Sequence, residues 1–262
     1  MSRWIFWISI VLCLAFLALP LLLVLPLAFN TSSFLTYPME GFTFAWFAEV
    51  FGQTTWTSAI WNSIKVACGA MVLAVLIGGM AATGIILTGR TLQMVLSALF
   101  VSPLVVPSIV VAVAFAYAFG RAGLSGSYAS LVLAHSILGA PLVFLSVLTS
   151  LRGLDPDLDR AAASMGASRV HRFWHVTLPL AAPGFLAGAL FAFITSFDEV
   201  VVALFLAAPS STTLPIALFS GLRDRLQPTI VVVALMLSLV SLLFLLAMAR
   251  MQKRSGASAS RK

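Results

Sequence analysis

Two adjacent carboxylates, Asp198 and Glu199, interrupt the apolar run FITSFDEVVVALFLA at residues 193–207. A charge at the centre of a membrane-length helix costs about 2.5–3.5 kcal/mol, while each Leu, Ile, Val or Phe returns about 0.3–0.6 kcal/mol. The flanking residues therefore carry the segment into a bilayer despite the acids, which must then be kept out of lipid. Two arrangements do this. The pair lines the outer half of a wet route and attracts a cationic amine, or it is held by Lys65, His135 or helix ends and meets no solute. The residues alone leave both open. Measured from an inner helix start near Gly184, Asp198 lies about 21 Å along, past the midplane, and helical neighbours point about 100° apart. One acid would then face a pathway and the other a helix partner.

Other reactive side chains offer less. Gly123-Leu124-Ser125-Gly126 has the Gly-x-Ser-Gly form of rhomboid-type intramembrane proteases. That chemistry needs a buried serine at a helix start and a histidine from a different span within hydrogen-bond reach. Ser125 instead falls in an outer turn, His135 follows on the very next span, and His171 and His175 fall on the inner side. Turn chemistry accounts for the glycines. Cys13 and Cys68 lie in apolar runs and read as small filler. No catalytic residue and no metal ligand set is expected. Tyr117 and Trp61 offer aromatic faces to an ammonium group or anchor at the membrane interface.

The elements that must position these residues follow from composition. Of 262 residues, 61% are hydrophobic and 9% charged, with a mean hydropathy of +1.09. Ordinary globular chains are about half apolar and a quarter charged, so lipid is the main solvent here. Apolar runs at about 5–29, 60–87, 92–119, 129–150, 184–208 and 229–250 are long enough to span and lack period-two alternation. The expected fold is all-α: a single polytopic membrane domain over 1–262 with six transmembrane helices. The first run begins behind Arg3, is about twice a signal h-region and lacks a clear cleavage site, so it is read as a retained helix.

With six spans and a cytoplasmic N-terminus, only Lys65, Arg121, Arg223 and Arg225 of the 15 basic residues fall outside. The positive-inside rule then places both termini in the cytoplasm. The formal charge of +7 reports topology, not nucleic-acid binding.

Connections carry further information. FTFAWFAEVFG, within the outer segment 30–58, suggests a short interfacial helix or an ordinary loop. Pro103 and Pro107 in VSPLVVPSIV should kink or unwind the third span, either lining a pathway or merely bending it. KRSGASASRK at the C-terminus reads as a short disordered basic tail.

The one long cytoplasmic loop, 151–183, reads as two short helices with a hinge. Asp155 is a suitable N-cap, Pro156 suits the first position, and Asp157 and Asp159 favour the positive end of the dipole. The first helix runs through Ala161, Ala162 and Ala163. Gly166 can take the left-handed conformation that ends it, Ala167 follows, and Ser168 can cap a second helix bearing Arg169, Val170, Phe173 and Trp174. Leu178-Pro179 should close the unit before the fifth span. A small alanine-rich helix presents a flat knob that fits a cleft on another protein.

AAASMGASRVHRFWHVTLPLAAPG resembles the EAA loop of ABC importer permeases: Glu-Ala-Ala, three residues, Gly, then a hydrophobic Leu-Pro close. Ala161, Ala162, Gly166, Leu178 and Pro179 match in spacing. Arg160 stands at the family's glutamate position, with Asp159 beside it. SPLVVPSIV, SFDEVVVALFLAAP and STTLPIALFS resemble the spermidine/putrescine branch of these permeases.

The resemblance implies a type I importer permease fold working with a second permease subunit, two cytoplasmic ABC ATPase subunits, a periplasmic or extracellular substrate-binding protein, and membrane lipid. It implies that the loop docks on the ATPase, that ATP and Mg bind there and that this chain holds no cofactor. Consistent with this, none of Lys65, Lys253 and Lys262 sits in a phosphate-loop context. The implied cargo is a polyamine or related amine. A rival from another class is a proton-coupled secondary transporter of a cationic solute using Asp198 and Glu199 as relay groups. It would normally show internal repeats.

Overall fold

The computed structural model describes residues 3–224 and 227–259. Arg225, Arg261 and Lys262, used in the charge count above, lie outside the described residues. In chain order the helices are α1 (Arg3–Val24), α2 (Ala45–Gly52), α3 (Thr54–Ile85), α4 (Arg90–Val101), α5 (Ser108–Arg121), α6 (Tyr128–Arg152), α7 (Pro156–Ser164), α8 (Arg169–Arg172), α9 (Leu178–Phe197), α10 (Val201–Leu206), α11 (Leu214–Asp224) and α12 (Pro228–Ala259). No strand occurs among the described residues, only two isolated bridges.

Four helical segments are each long and apolar enough to cross a membrane, and the bent pair α4–α5 makes a fifth. The apolar part of α12, Pro228–Phe244, is shorter and falls where the sixth span was expected. The expectation of a disordered tail fails for its described part, since α12 continues to Ala259. Lys, Arg and Ala are good helix formers and let a helix run on past the apolar stretch. The last three residues lie outside the described set.

The chain forms two compact units. One comprises Met1–Ser58 and Ala217–Val240. In it, Asn30 organises the segment after α1: its Oδ1 accepts the Glu40 amide at 3.0 Å and its carbonyl accepts Trp46 Nε1–H at 2.7 Å. Phe29 stacks on Phe42 at 5.1 Å and meets Phe44 and Phe47 edge-on or tilted. This cluster seats α2, so of the two readings of FTFAWFAEVFG, short helix or ordinary loop, the structure has the helix.

The other unit comprises Ala59–Ile216 and Ser241–Lys262, and its centre is the antiparallel pair α6 and α9. Small residues recur every fourth position on α9: Gly184, Gly188, Ala192 and Ser196. A methyl at Gly188 would stand 2.8 Å from Val143 Cα, and one at Gly139 of α6 would stand 3.0 Å from Ala192 Cβ. Without side chains at these points the backbones approach closely, which is how helices pack in lipid, where hydrophobicity alone supplies no drive. Ser196 ends the ladder by hydrogen-bonding its Oγ to His135 Nδ1 at 2.8 Å. Around the ladder Phe144, Val143, Val147 and Ala74 are fully buried.

The proline pair breaks the third span more sharply than a kink. A 3₁₀ turn, Ser102–Leu104, ends α4, and Arg90–Leu104 meets Ser108–Arg121 at 90°. Pro103 and Pro107 each remove a backbone donor; the Leu99 carbonyl that Pro103 leaves free accepts Ser102 Oγ–H at 2.8 Å, and Pro107 O starts α5 by accepting Val110 N–H at 2.9 Å. Such repair is what permits irregular backbone at membrane depth. Pro103 faces an apolar cleft of about 340 Å³ shared with Phe100, Ile137 and Pro141.

Two expectations about the fifth span are corrected. Leu178-Pro179 does not end the loop unit: α8 passes through a π turn, Phe173–Thr177, directly into α9. A proline cannot donate to the carbonyl four residues back and its ring crowds that group, and a widened turn relieves both problems. Nor is 184–208 one helix, because α9 ends at Phe197 and α10 begins at Val201. Asp198 and Glu199 therefore occupy a helix junction, and the 100° argument for their directions does not apply.

Candidate functional site

The knob of loop 151–183 assembles as its residue types dictate. Asp155 caps α7 by accepting the Asp157 amide at 3.0 Å, and Ser168 caps α8 by accepting the His171 amide at 3.3 Å. Between them Gly166 has φ +84°, with its N–H donated to Ala163 O at 3.0 Å and Ala167 N–H donated to Ala162 O at 3.2 Å. That is the left-handed closure of a helix C-terminus, which favours glycine. Ala162 is buried, whereas Ala161 and Ala163 face outward.

Charges then tie the two helices together. Asp159 Oδ1 lies 3.1 Å from Arg172 Nε, joining α7 to α8, and Arg160 turns to Asp157 at 2.9 Å. These are the only ion pairs among the described residues. Asp159 thus serves within the knob, and Arg160, at the position where the resembled family has glutamate, is engaged by a local aspartate. Leu178 and Pro179 open α9.

Among the charged and polar exposed residues of the knob and the adjoining π turn stand large apolar side chains. Met165 is 82% exposed, Val170 68% and Trp174 58%. Large apolar groups gathered on one surface element mark an interaction site. Met165 could have been found in the sequence as the one large apolar residue beside the Gly166 hinge.

The acid pair sits at the other end of the α6–α9 ladder. Continuing the antiparallel register through Ser196 and His135 brings the junction level with the first two turns of α6. There the Glu199 carboxylate accepts the Val202 amide at 2.8 Å, satisfying one of the unpaired donors at the start of α10. Asp198 closes α9 through its own N–H, donated to Ile194 O at 3.0 Å. Its carboxylate is exposed and has no hydrogen-bond or ion-pair partner among the described residues.

The holders considered for these acids separate clearly. Lys65 Nζ lies 5.8 Å from the Tyr128 ring centroid and makes no ion pair with either acid. His135 engages Ser196 through Nδ1, its Nε2 has no hydrogen-bond partner among the described residues, and it makes no ion pair with either acid. Of the candidates, only a helix end holds one, and it holds Glu199.

The segment following α10 is strapped in place. Asn62 Nδ2 donates to Thr212 O at 2.9 Å, Ser63 Oγ accepts the Leu214 amide at 2.7 Å, and Tyr128 O–H donates to Asn62 Oδ1 at 2.6 Å. Polar contacts from α3 and α6 thus hold the chain that follows α10. Tyr117 is taken by Arg121, whose Nη1–H donates to its hydroxyl at 3.3 Å. Among the described residues Ser125 hydrogen-bonds no histidine, and the one buried serine–histidine contact, Ser196 with His135, lies in the α6–α9 packing.

A many-helix membrane chain with a two-helix knob joining its central pair is the build of a transport-system permease. Residues 70–256 match the model of the family described as the binding-protein-dependent transport system inner membrane component, and the chain belongs to that family. It is the permease subunit of an ABC importer, a multi-pass inner-membrane component that transports and does not itself catalyse a reaction.

The chain is 29% identical to the spermidine/putrescine transport system permease protein PotC of Haemophilus influenzae, covering 87% of this chain and 88% of that one. It is 30% identical to the putrescine transport system permease protein PotI of Escherichia coli K12, covering 86% and 83%. It is also 30% identical to the putative 2-aminoethylphosphonate transport system permease protein PhnV of Salmonella typhimurium, covering 95% and 94%. Among solved structures, a bacterial alginate ABC transporter in complex with an alginate-bound periplasmic protein superposes with a TM-score of 0.69 at 17% identity, covering 95% and 93%. That likeness concerns the fold.

Proposed function

We propose that this permease carries a polyamine or a related primary amine, pairs with a second permease to form the pathway, and is driven by two ATPases that bind ATP and Mg. A binding protein on the outer side delivers the solute, and both termini lie in the cytoplasm. The single observation that carries the drive is the knob: two short helices closed at Gly166, clasped by Asp159 and Arg172, with Met165, Val170 and Trp174 bare. Closure of the ATPase pair pushes this knob. The π turn and α9 form a continuous lever from it to the acid junction.

At the far end, Asp198 presents a carboxylate without a hydrogen-bond or ion-pair partner among the described residues, in a position to draw an ammonium group. Pro103, Pro107 and Tyr117 flank the route. The relatives named for putrescine, spermidine and 2-aminoethylphosphonate favour an amine, since each of those solutes carries a primary ammonium group. Uptake by the assembled transporter of radiolabelled putrescine, spermidine, 2-aminoethylphosphonate and neutral amino acids tests the reading. Amine uptake that stops with loss of the ATPase is expected, and ATPase-independent uptake would favour the proton-coupled alternative.

A further inference from the structure

A cleft of about 710 Å³ lies between the inner end of α3 and the knob, with two chemistries on its walls. On one side Met80, Gly84 and Leu87 supply apolar surface, with Met80 66% and Leu87 84% exposed. On the other stand Arg169, Arg172 and Asp159. Asp159 is committed to Arg172, and Arg169 has no carboxylate partner among the described residues. The cleft therefore carries two guanidiniums against one carboxylate.

We propose that this cleft holds one anionic phospholipid of the inner leaflet, its phosphate at Arg169 and Arg172 and an acyl chain along Met80, Leu87 and Phe173. The assignment rests on the cytoplasmic placement of the knob. Three features select a lipid over a soluble anion. The cleft straddles a spanning helix and a loop, so it opens where hydrocarbon gives way to headgroups. Its apolar wall would be bare to water if only a small anion were bound. Guanidinium forks suit phosphate oxygens, and basic pockets between spanning helices on the cytoplasmic side attract anionic headgroups. A lipid there would touch α3, α8 and the π turn together, coupling leaflet composition to the lever.

The test uses the assembled transporter in detergent, incubated with phosphatidylglycerol or phosphatidylcholine of matched chains, with bound lipid counted by native mass spectrometry. Wild type should retain phosphatidylglycerol preferentially. Arg169→Gln should reduce that retention about five-fold, the worth of one basic residue at an anionic surface, and leave phosphatidylcholine unaffected. Gly84→Phe fills the cleft without touching its charge; a Cβ at Gly84 meets nothing within 4 Å, so the helix accepts it, and retention should fall. Excess inorganic phosphate should leave the lipid bound. Equal retention of the two lipids by wild type, unchanged retention in both variants, or displacement by inorganic phosphate overturns the proposal. Co-purification of the ATPase reports the knob's placement separately, so a failed lipid result with the ATPase still attached removes the lipid site alone.

Discussion

Asp159 and Arg172 face each other across the hinge of the knob at 3.1 Å, with the arginine side chain 19% exposed and the aspartate 51%. The pair ties α7 to α8, and under the proposed drive it would set the direction in which a push on α7 reaches the lever. Partial exposure limits its worth to about 0.5–1 kcal/mol. Asp159→Ala should therefore leave the transporter assembled yet lower uptake per ATP hydrolysed. Measuring ATPase rate and uptake on the same proteoliposomes checks this, and the swap Asp159→Arg with Arg172→Asp should recover part of the coupling. Wild-type coupling in the single variant would remove the clasp from the mechanism.

Gly166 gives a sharper test because two causes of damage separate there. Space is open around it, with nothing within 4 Å of an added Cβ, so bulk alone costs nothing. The φ of +84° is the constraint. Gly166→Val should cost about 1–2 kcal/mol in the hinge and sharply reduce uptake. Gly166→Asn, a residue that tolerates this region, should keep most of it. Equal uptake by the two variants would count against a conformational role for the glycine.

What was legible in the residues was local. Asp155, Pro156, Gly166 and Ser168 each act on backbone groups within a few positions, so caps and hinge could be read one turn at a time, as could the break at Pro103 and Pro107. The fifth span misled because its composition is apolar on both sides of Asp198 and Glu199. Hydropathy reports what a segment is soluble in, and is silent about whether its backbone is continuous. The Asp159–Arg172 clasp escaped because it depends on how two helices meet, which no spacing rule encodes. The α9 ladder of small residues at every fourth position was visible in principle, but its partner on α6 was not.

That ladder predicts a stability defect distinct from any transport defect. Gly188→Val would drive a side chain into Val143 Cα, a backbone atom that cannot swing aside. Overpacking of this kind costs about 1–3 kcal/mol or more. The variant should lower the melting temperature of the purified complex and its yield from membranes. Gly84→Ala, on α3 where a Cβ finds open space, serves as the control that should change neither.

At the acid junction the two carboxylates should behave differently when neutralised, because only one has an internal task. Glu199→Gln keeps a carbonyl oxygen that can accept the Val202 amide, so α10 should remain capped. Glu199→Ala loses the acceptor and about 1 kcal/mol with it. Asp198→Asn disturbs no hydrogen bond of its carboxylate among the described residues, so the fold should be indifferent to it. If the junction draws ammonium groups into the pathway, Asp198→Asn should raise the apparent KM for amine uptake several-fold with little change in melting temperature. Glu199→Ala should do the reverse, lowering the melting temperature with a smaller change in KM. A transporter that takes up putrescine with wild-type kinetics while carrying both Asp198→Asn and Glu199→Gln would leave the pair with capping as its whole role, and the ammonium would have to be received elsewhere.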